Sequence, residues 1–107
     1  MYKILSQEER DFLSIIKPYT FYDYGEKLSS KTPDNIKDLY CLFRIKGVKE
    51  DPDGYVSPDM RDIKELYCSL HSISYQQYDD FFENLNLQKI RKLFNEKVKE
   101  IIQENDF

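Results

Sequence analysis

Few residues of this chain have the types or spacing that catalysis requires. His71 is the only histidine. General-base work would need it beside a nucleophile, and no Ser or Cys shares a recognisable pattern with it. Its place near the carboxyl end of a helical stretch suits a cation on the helix dipole instead. Cys41 and Cys68 offer no metal-ligand spacing with each other or with His71. They read as small buried residues of a reducing compartment rather than as a disulfide framework. Asp79, Asp80 and Glu83 cluster on one stretch, where paired carboxylates could do acid–base work. With no pocket signal beside them, they read as a solvated face. No glycine-rich loop is present to cradle a phosphate. The sequence therefore predicts a protein that is not an enzyme and needs no cofactor or metal.

One acidic connector invites comparison with a metal site. Asp51-Pro52-Asp53-Gly54-Tyr55-Val56-Ser57-Pro58-Asp59 lies between two helical stretches. It resembles the middle of an EF-hand loop, in which oxygen ligands alternate and a glycine makes the sharp turn. Asp51, Asp53, Gly54, Val56 and Ser57 match that pattern. The resemblance implies a degenerate EF-hand-like module around residues 49–60, keeping the helix-loop-helix shape without the ion. Lys49 falls where the first ligand belongs and Met60 where the bidentate carboxylate belongs. Read by residue type alone, Asp-Pro-Asp-Gly is turn chemistry.

Two stretches could engage a partner. Tyr19, Phe21, Tyr22 and Tyr24 crowd four rings into six residues. These rings either close one end of a core or form an exposed anchor patch, since Tyr is favoured at binding hot spots. The acidic connector, with Glu50, Asp51, Asp53 and Asp59, could steer a basic surface toward the protein.

The elements that position these groups are marked by capping signals. Ser6 with Glu9 makes a capping box for a helix from about Gln7 to Lys17, with Phe12, Leu13, Ile15 and Ile16 as its apolar side, ending near Pro18. The chain then builds one helix twice. Ile36-Lys37-Asp38-Leu39-Tyr40-Cys41 follows Thr32-Pro33-Asp34, and Ile63-Lys64-Glu65-Leu66-Tyr67-Cys68 follows Ser57-Pro58-Asp59, 27 residues later. Thr32 and Ser57 are expected to cap, with Pro at the first helical position. The first copy should run from Pro33 to about Lys46, and Leu39 and Leu66 should be equivalent core positions. A rival reading pairs a strand over 39–48 with Tyr55-Val56 through the connector, giving an α+β fold with a hairpin near 39–56. Ser74 caps a short helix from Tyr75 to about Leu85, with Tyr75, Tyr78, Phe82 and Leu85 on one side. Asn86 caps the last, Leu87 to Glu104, striped by Leu87, Ile90, Phe94, Val98, Ile101 and Ile102.

These elements predict a mainly α protein: one helical domain over 1–107, a compact bundle of about five helices with an internally repeated amphipathic helix. Charged residues make up 34% of the chain, interspersed in sign, and the net charge is −4. That balance disfavours a dedicated nucleic-acid binder. The last helix, the remaining candidate for such contact, dilutes Lys89, Arg91, Lys92, Lys97 and Lys99 with Glu96, Glu100 and Glu104. No membrane-spanning run and no signal-peptide core is present, so a cytoplasmic protein is expected. The function these features favour is non-catalytic binding of another protein, as an inhibitor, an immunity or anti-defence factor, or an accessory subunit.

Overall fold

The computed structural model describes residues 4–20, 28–53 and 58–105. Five α-helices are described: α1 (Gln7–Ile16), α2 (Asp34–Glu50), α3 (Pro58–His71), α4 (Tyr75–Asn84) and α5 (Leu87–Asn105). Among the described residues no strand forms; the nearest approach is an isolated antiparallel bridge between Thr20 and Leu28. The protein is thus a compact, mainly α bundle with a radius of gyration of 13.6 Å. Residues 39–48 lie wholly inside α2, which overturns the hairpin alternative.

Helix α1 starts as its sequence dictates. The Ser6 hydroxyl accepts from the Glu9 amide at 3.1 Å and Glu9 Oε1 accepts from the Ser6 amide at 3.0 Å. Pro18 ends it through a single 3-10 turn over Lys17–Tyr19. Leu13, expected on the apolar side, is instead 46% exposed, while Phe12, Ile15 and Ile16 are buried.

Helix α2 corrects two expectations. Thr32 does not cap it: Pro33 occupies the N-cap position, and the Thr32 hydroxyl donates to the Ser29 carbonyl at 2.7 Å. The Pro33 carbonyl takes the first helical amides, those of Ile36 and Lys37. The helix also continues past Lys46 to Glu50. Gly47 costs it roughly 0.5–1 kcal/mol relative to Ala, but Lys46 and Glu50 are joined at 2.6 Å one turn apart across that glycine. Pro52 stops the helix, because a residue before proline is pushed out of the α region. Asp51 accordingly takes φ −140°, ψ 81°.

Helix α2 is the hub. It packs most broadly on α5, then on α3, and only narrowly on α1, while α1 itself leans on α5. Ile36, Leu39, Tyr40, Cys41, Leu42 and Ile45 are all buried, so its apolar surface faces nearly every side. From α5, Ile90, Phe94, Val98 and Ile101 fill the space against it. Phe12 from α1 stacks on Phe43 at 4.3 Å and meets Phe94 edge-on.

The repeated phrase is helical in both copies, but the copies are not equivalent in burial. Ile63 and Cys68 are buried in α3, while Leu66 and Tyr67 are only half-buried. The reason is position: α3 packs on α2 and α4 and keeps a face for solvent. It ends with the Ile73 amide donating back to the Cys68 carbonyl at 3.1 Å, which needs a left-handed residue, and Ser72 supplies it at φ 54°. Helix α4 begins with a second capping box, Ser74 with Gln77, and Asn86 accepts the Lys89 amide at 2.7 Å to cap α5. Tyr78 and Leu85 turn inward from α4, but Tyr75 is exposed.

Leu39 is fully enclosed, so Leu39→Ala should cost about 2–5 kcal/mol, whereas half-exposed Leu66→Ala should cost well under that. Urea unfolding of the two variants checks this, and equal losses would contradict the asymmetry.

Candidate functional site

Charges within a helix that is apolar on most sides must find partners. Those of α2 find one on every other helix. Asp38 takes His71 Nε2 of α3 at 2.9 Å and Lys97 Nζ of α5 at 3.5 Å. Lys49 Nζ donates to the Phe82 carbonyl of α4 at 2.6 Å and lies 4.1 Å above that residue's ring. Lys46 Nζ pairs with Glu9 Oε2 of α1 at 3.3 Å and with Glu50, and it sits 5.5 Å from the centre of the Phe94 ring. Glu50 also meets Arg91 of α5 at 3.5 Å. The Lys46 and Glu9 side chains are 8% and 9% exposed, so their pairing is largely shielded from solvent.

Helices α1 and α2 run antiparallel, and their narrow contact leaves an open groove between them. At one end it is lined by Leu5, Glu9, Phe43, Arg44, Lys46, Gly47, Glu50 and Asp51. At the other, Phe12, Leu13, Ile16, Lys17, Thr20, Tyr40, Phe43 and Arg44 line it. Phe43 and Arg44 belong to both ends, so the groove is continuous. Its floor is the Phe12–Phe43 stack, and exposed Leu13 forms part of its wall. Gly47, which has no side chain, leaves the α2 backbone accessible in the groove wall.

The structure sorts the residues expected at a partner surface. Glu50 and Asp51 reach the groove, though Glu50 is already committed to Lys46 and Arg91. Asp51 and Asp53 are exposed. Tyr19 is half-buried and packs against the core, with its carbonyl accepting the Ser29 amide at 2.7 Å. It is thus part of the closing layer. Phe21, Tyr22, Tyr24 and the side chain of Asp59 lie outside the described residues. Sequence reasoning missed Leu13, Phe43 and Arg44 as groove residues: Leu13 was expected on the apolar side of α1, and Arg44 carries no local signal of a groove.

The chain matches no known protein family, no curated protein and no solved structure.

The residues once weighed for chemistry fall into structural places. His71 tilts against Tyr67 at 4.2 Å while bonding Asp38. Asp79 pairs with Lys64 at 2.8 Å, and Asp80 accepts from Gln76. Among the described residues, no group of three or more His, Cys, Asp or Glu is placed to hold a metal ion. Lys49, at the first ligand position of the EF-hand pattern, is turned onto α4 rather than toward the connector. No described helix is long and apolar enough to cross a membrane.

Cys41 and Cys68 are free, buried thiols. Burial pushes Cys41 up to about 12, helped by the Asp38 carboxylate. Burial likewise lifts Tyr67 to about 12, with Asp38 and the two thiols adding to it. Cys68 and Tyr78 are raised for the same leading reason. All four are weak acids held neutral by the fold. As pH climbs, the unfolded chain gives up these protons first, near 9 for the thiols and 10 for the phenols. Their stabilising contribution is therefore complete below pH 9 and lost progressively toward pH 12. The urea midpoint should fall from about pH 9 upward, less steeply in Cys41→Ala. A midpoint unchanged between about pH 8 and pH 11 would contradict the assignment.

Proposed function

We propose that this protein acts by non-catalytic binding of another protein, in the manner of an inhibitor, an immunity or anti-defence factor, or an accessory subunit. The α1–α2 groove is its docking surface. The observation that carries this reading is the groove itself. Elsewhere α2 is closed over by α3 and α5, yet along α1 the half-buried Phe43 and the exposed Leu13 border an open groove above buried Phe12. Such a surface fits helix-in-groove recognition, in which an apolar stripe is laid between two existing helices. Free, buried thiols suit a reducing compartment, and we place the protein in the cytoplasm.

Two other readings have less support. A degenerate EF-hand-like role loses its first ligand position to the Lys49–Phe82 contact. Nucleic-acid contact through α5 loses Lys97 to Asp38 and Arg91 to Glu50.

The test is site-specific photocrosslinking in native lysate. A photoreactive residue at position 13 should trap a discrete protein adduct that excess unlabelled protein suppresses. The same probe at Lys99, exposed on α5, should not. Equal trapping at both positions, or none at 13, would overturn the groove as docking surface.

A further inference from the structure

The α1 rim of the groove carries charge of one sign. Arg10, Leu13 and Lys17 are spaced i, i+3 and i+7, so they stand in one row along the helix with Leu13 between two cations. All three are exposed, and Leu13 and Lys17 line the groove. The two cations are about 10 Å apart along the axis, two turns at 1.5 Å per residue. The Arg10 guanidinium reaches the Gln7 amide oxygen at 3.4 Å, and among the described residues no carboxylate pairs with Arg10 or Lys17. The acids of α1 are placed elsewhere. Glu9 is held by Lys46 and the Ser6 amide, while Glu8 and Asp11 fall on the far side of the helix from Leu13. Across the groove, Arg44 lies 6.0 Å from the centre of the Tyr40 ring and stands outside this row. Asp51 lines the opposite end beside Leu5, more than a turn before Arg10.

Resting on the docking groove proposed above, we infer that its occupant is an acidic amphipathic helix of a partner protein. That helix lays an apolar stripe over Leu13 and Phe43. It sets two carboxylates, one on each side of a central apolar residue, against Arg10 and Lys17. A helix laid along α1 repeats the spacing of the row, so acid, apolar residue and acid meet cation, leucine and cation over two turns. A second copy of this chain is disfavoured in the same place. A twofold axis at Leu13 would set Arg10 of one chain against Lys17 of the other, like charge against like. A basic helix meets that repulsion along the whole row, and an uncharged one leaves both cations without a partner.

The test uses the full chain and three fluorescent peptides of about 18 residues sharing one apolar helical stripe. They differ only at the positions flanking that stripe, which are all Glu, all Gln or all Lys. The Glu peptide should bind tightest, with the Gln peptide weaker by about fivefold, as two exposed ion pairs supply, and the Lys peptide weaker still. Reversing the row with Arg10→Glu and Lys17→Glu leaves the core untouched and should move the preference to the Lys peptide. Lys92→Glu with Lys99→Glu makes the same charge change at the same spacing on exposed positions of α5, and it should leave the preference as it was. Leu13→Ser should weaken the Glu peptide about tenfold, with its melting temperature recorded to show an intact fold. Equal affinity for the Glu and Gln peptides overturns the acidic occupant, and so does a preference that the α5 reversal shifts as far as the α1 reversal. No binding by any peptide, while the probe at position 13 still traps a protein, overturns it too but leaves the docking groove standing. Binding unchanged in folded Leu13→Ser overturns both. Sedimentation as a dimer that Leu13→Ser converts to monomer assigns the groove to a second copy and also refutes the proposal.

Discussion

The arrangement of this bundle depends on one buried ammonium. Lys46 lies where α1, α2 and α5 meet, paired with Glu9 and Glu50 and resting near the Phe94 ring. Taking such a charge out of water costs several kcal/mol, which is offset only if its partners are fixed in place. Glu9 is fixed by the start of α1. One of its carboxylate oxygens accepts the Ser6 amide and the other takes Lys46. The residue that begins the first helix is therefore also the one that anchors it. Losing Lys46 would take a charge partner from a buried carboxylate and loosen the helix that carries it.

The groove follows from this anchoring. Helix α1 is held to α2 at its amino-terminal end by the Glu9–Lys46 pair and in the middle by the Phe12–Phe43 stack, while its remaining contact is with α5. A helix tied at points rather than packed along its length leaves a seam. Asp38 plays the matching part at the opposite end of α2, drawing in His71 and Lys97. Polar ties thus set where the helices sit, and the apolar core of α2 and α5 fills what lies between them.

Much of the fold was legible because its signals are local. The capping box at Ser6, the caps at Ser74 and Asn86 and the stripe of α5 depend only on neighbours in sequence, and the structure bears them out. The failures are of a different kind. Thr32 has the right type for a cap, but the turn before it drew its hydroxyl to the Ser29 carbonyl. Leu66 repeats Leu39 in sequence, yet burial is decided by what packs alongside, and α3 has neighbours on fewer sides. Leu13 fits the apolar pattern of α1 and still faces solvent for a related reason. The groove was not legible at all, since it depends on how far α1 stands from α2. A signal did exist: charged residues set into the apolar surround of α2 demand partners, and Lys46, so placed, pointed to a carboxylate elsewhere in the chain.

The central claim is that the Glu9–Lys46 pair holds the first helix in place, and a double-mutant cycle read by urea unfolding tests it most directly. Glu9→Gln and Lys46→Met should each destabilise, Lys46→Met by about 3–5 kcal/mol because it removes the buried ammonium that both Glu9 and Glu50 pair with. Combined, they should cost less than the sum by at least about 1 kcal/mol, the signature of groups that act together. Strictly additive losses would contradict the account and reduce the pair to a bystander of the packing around it.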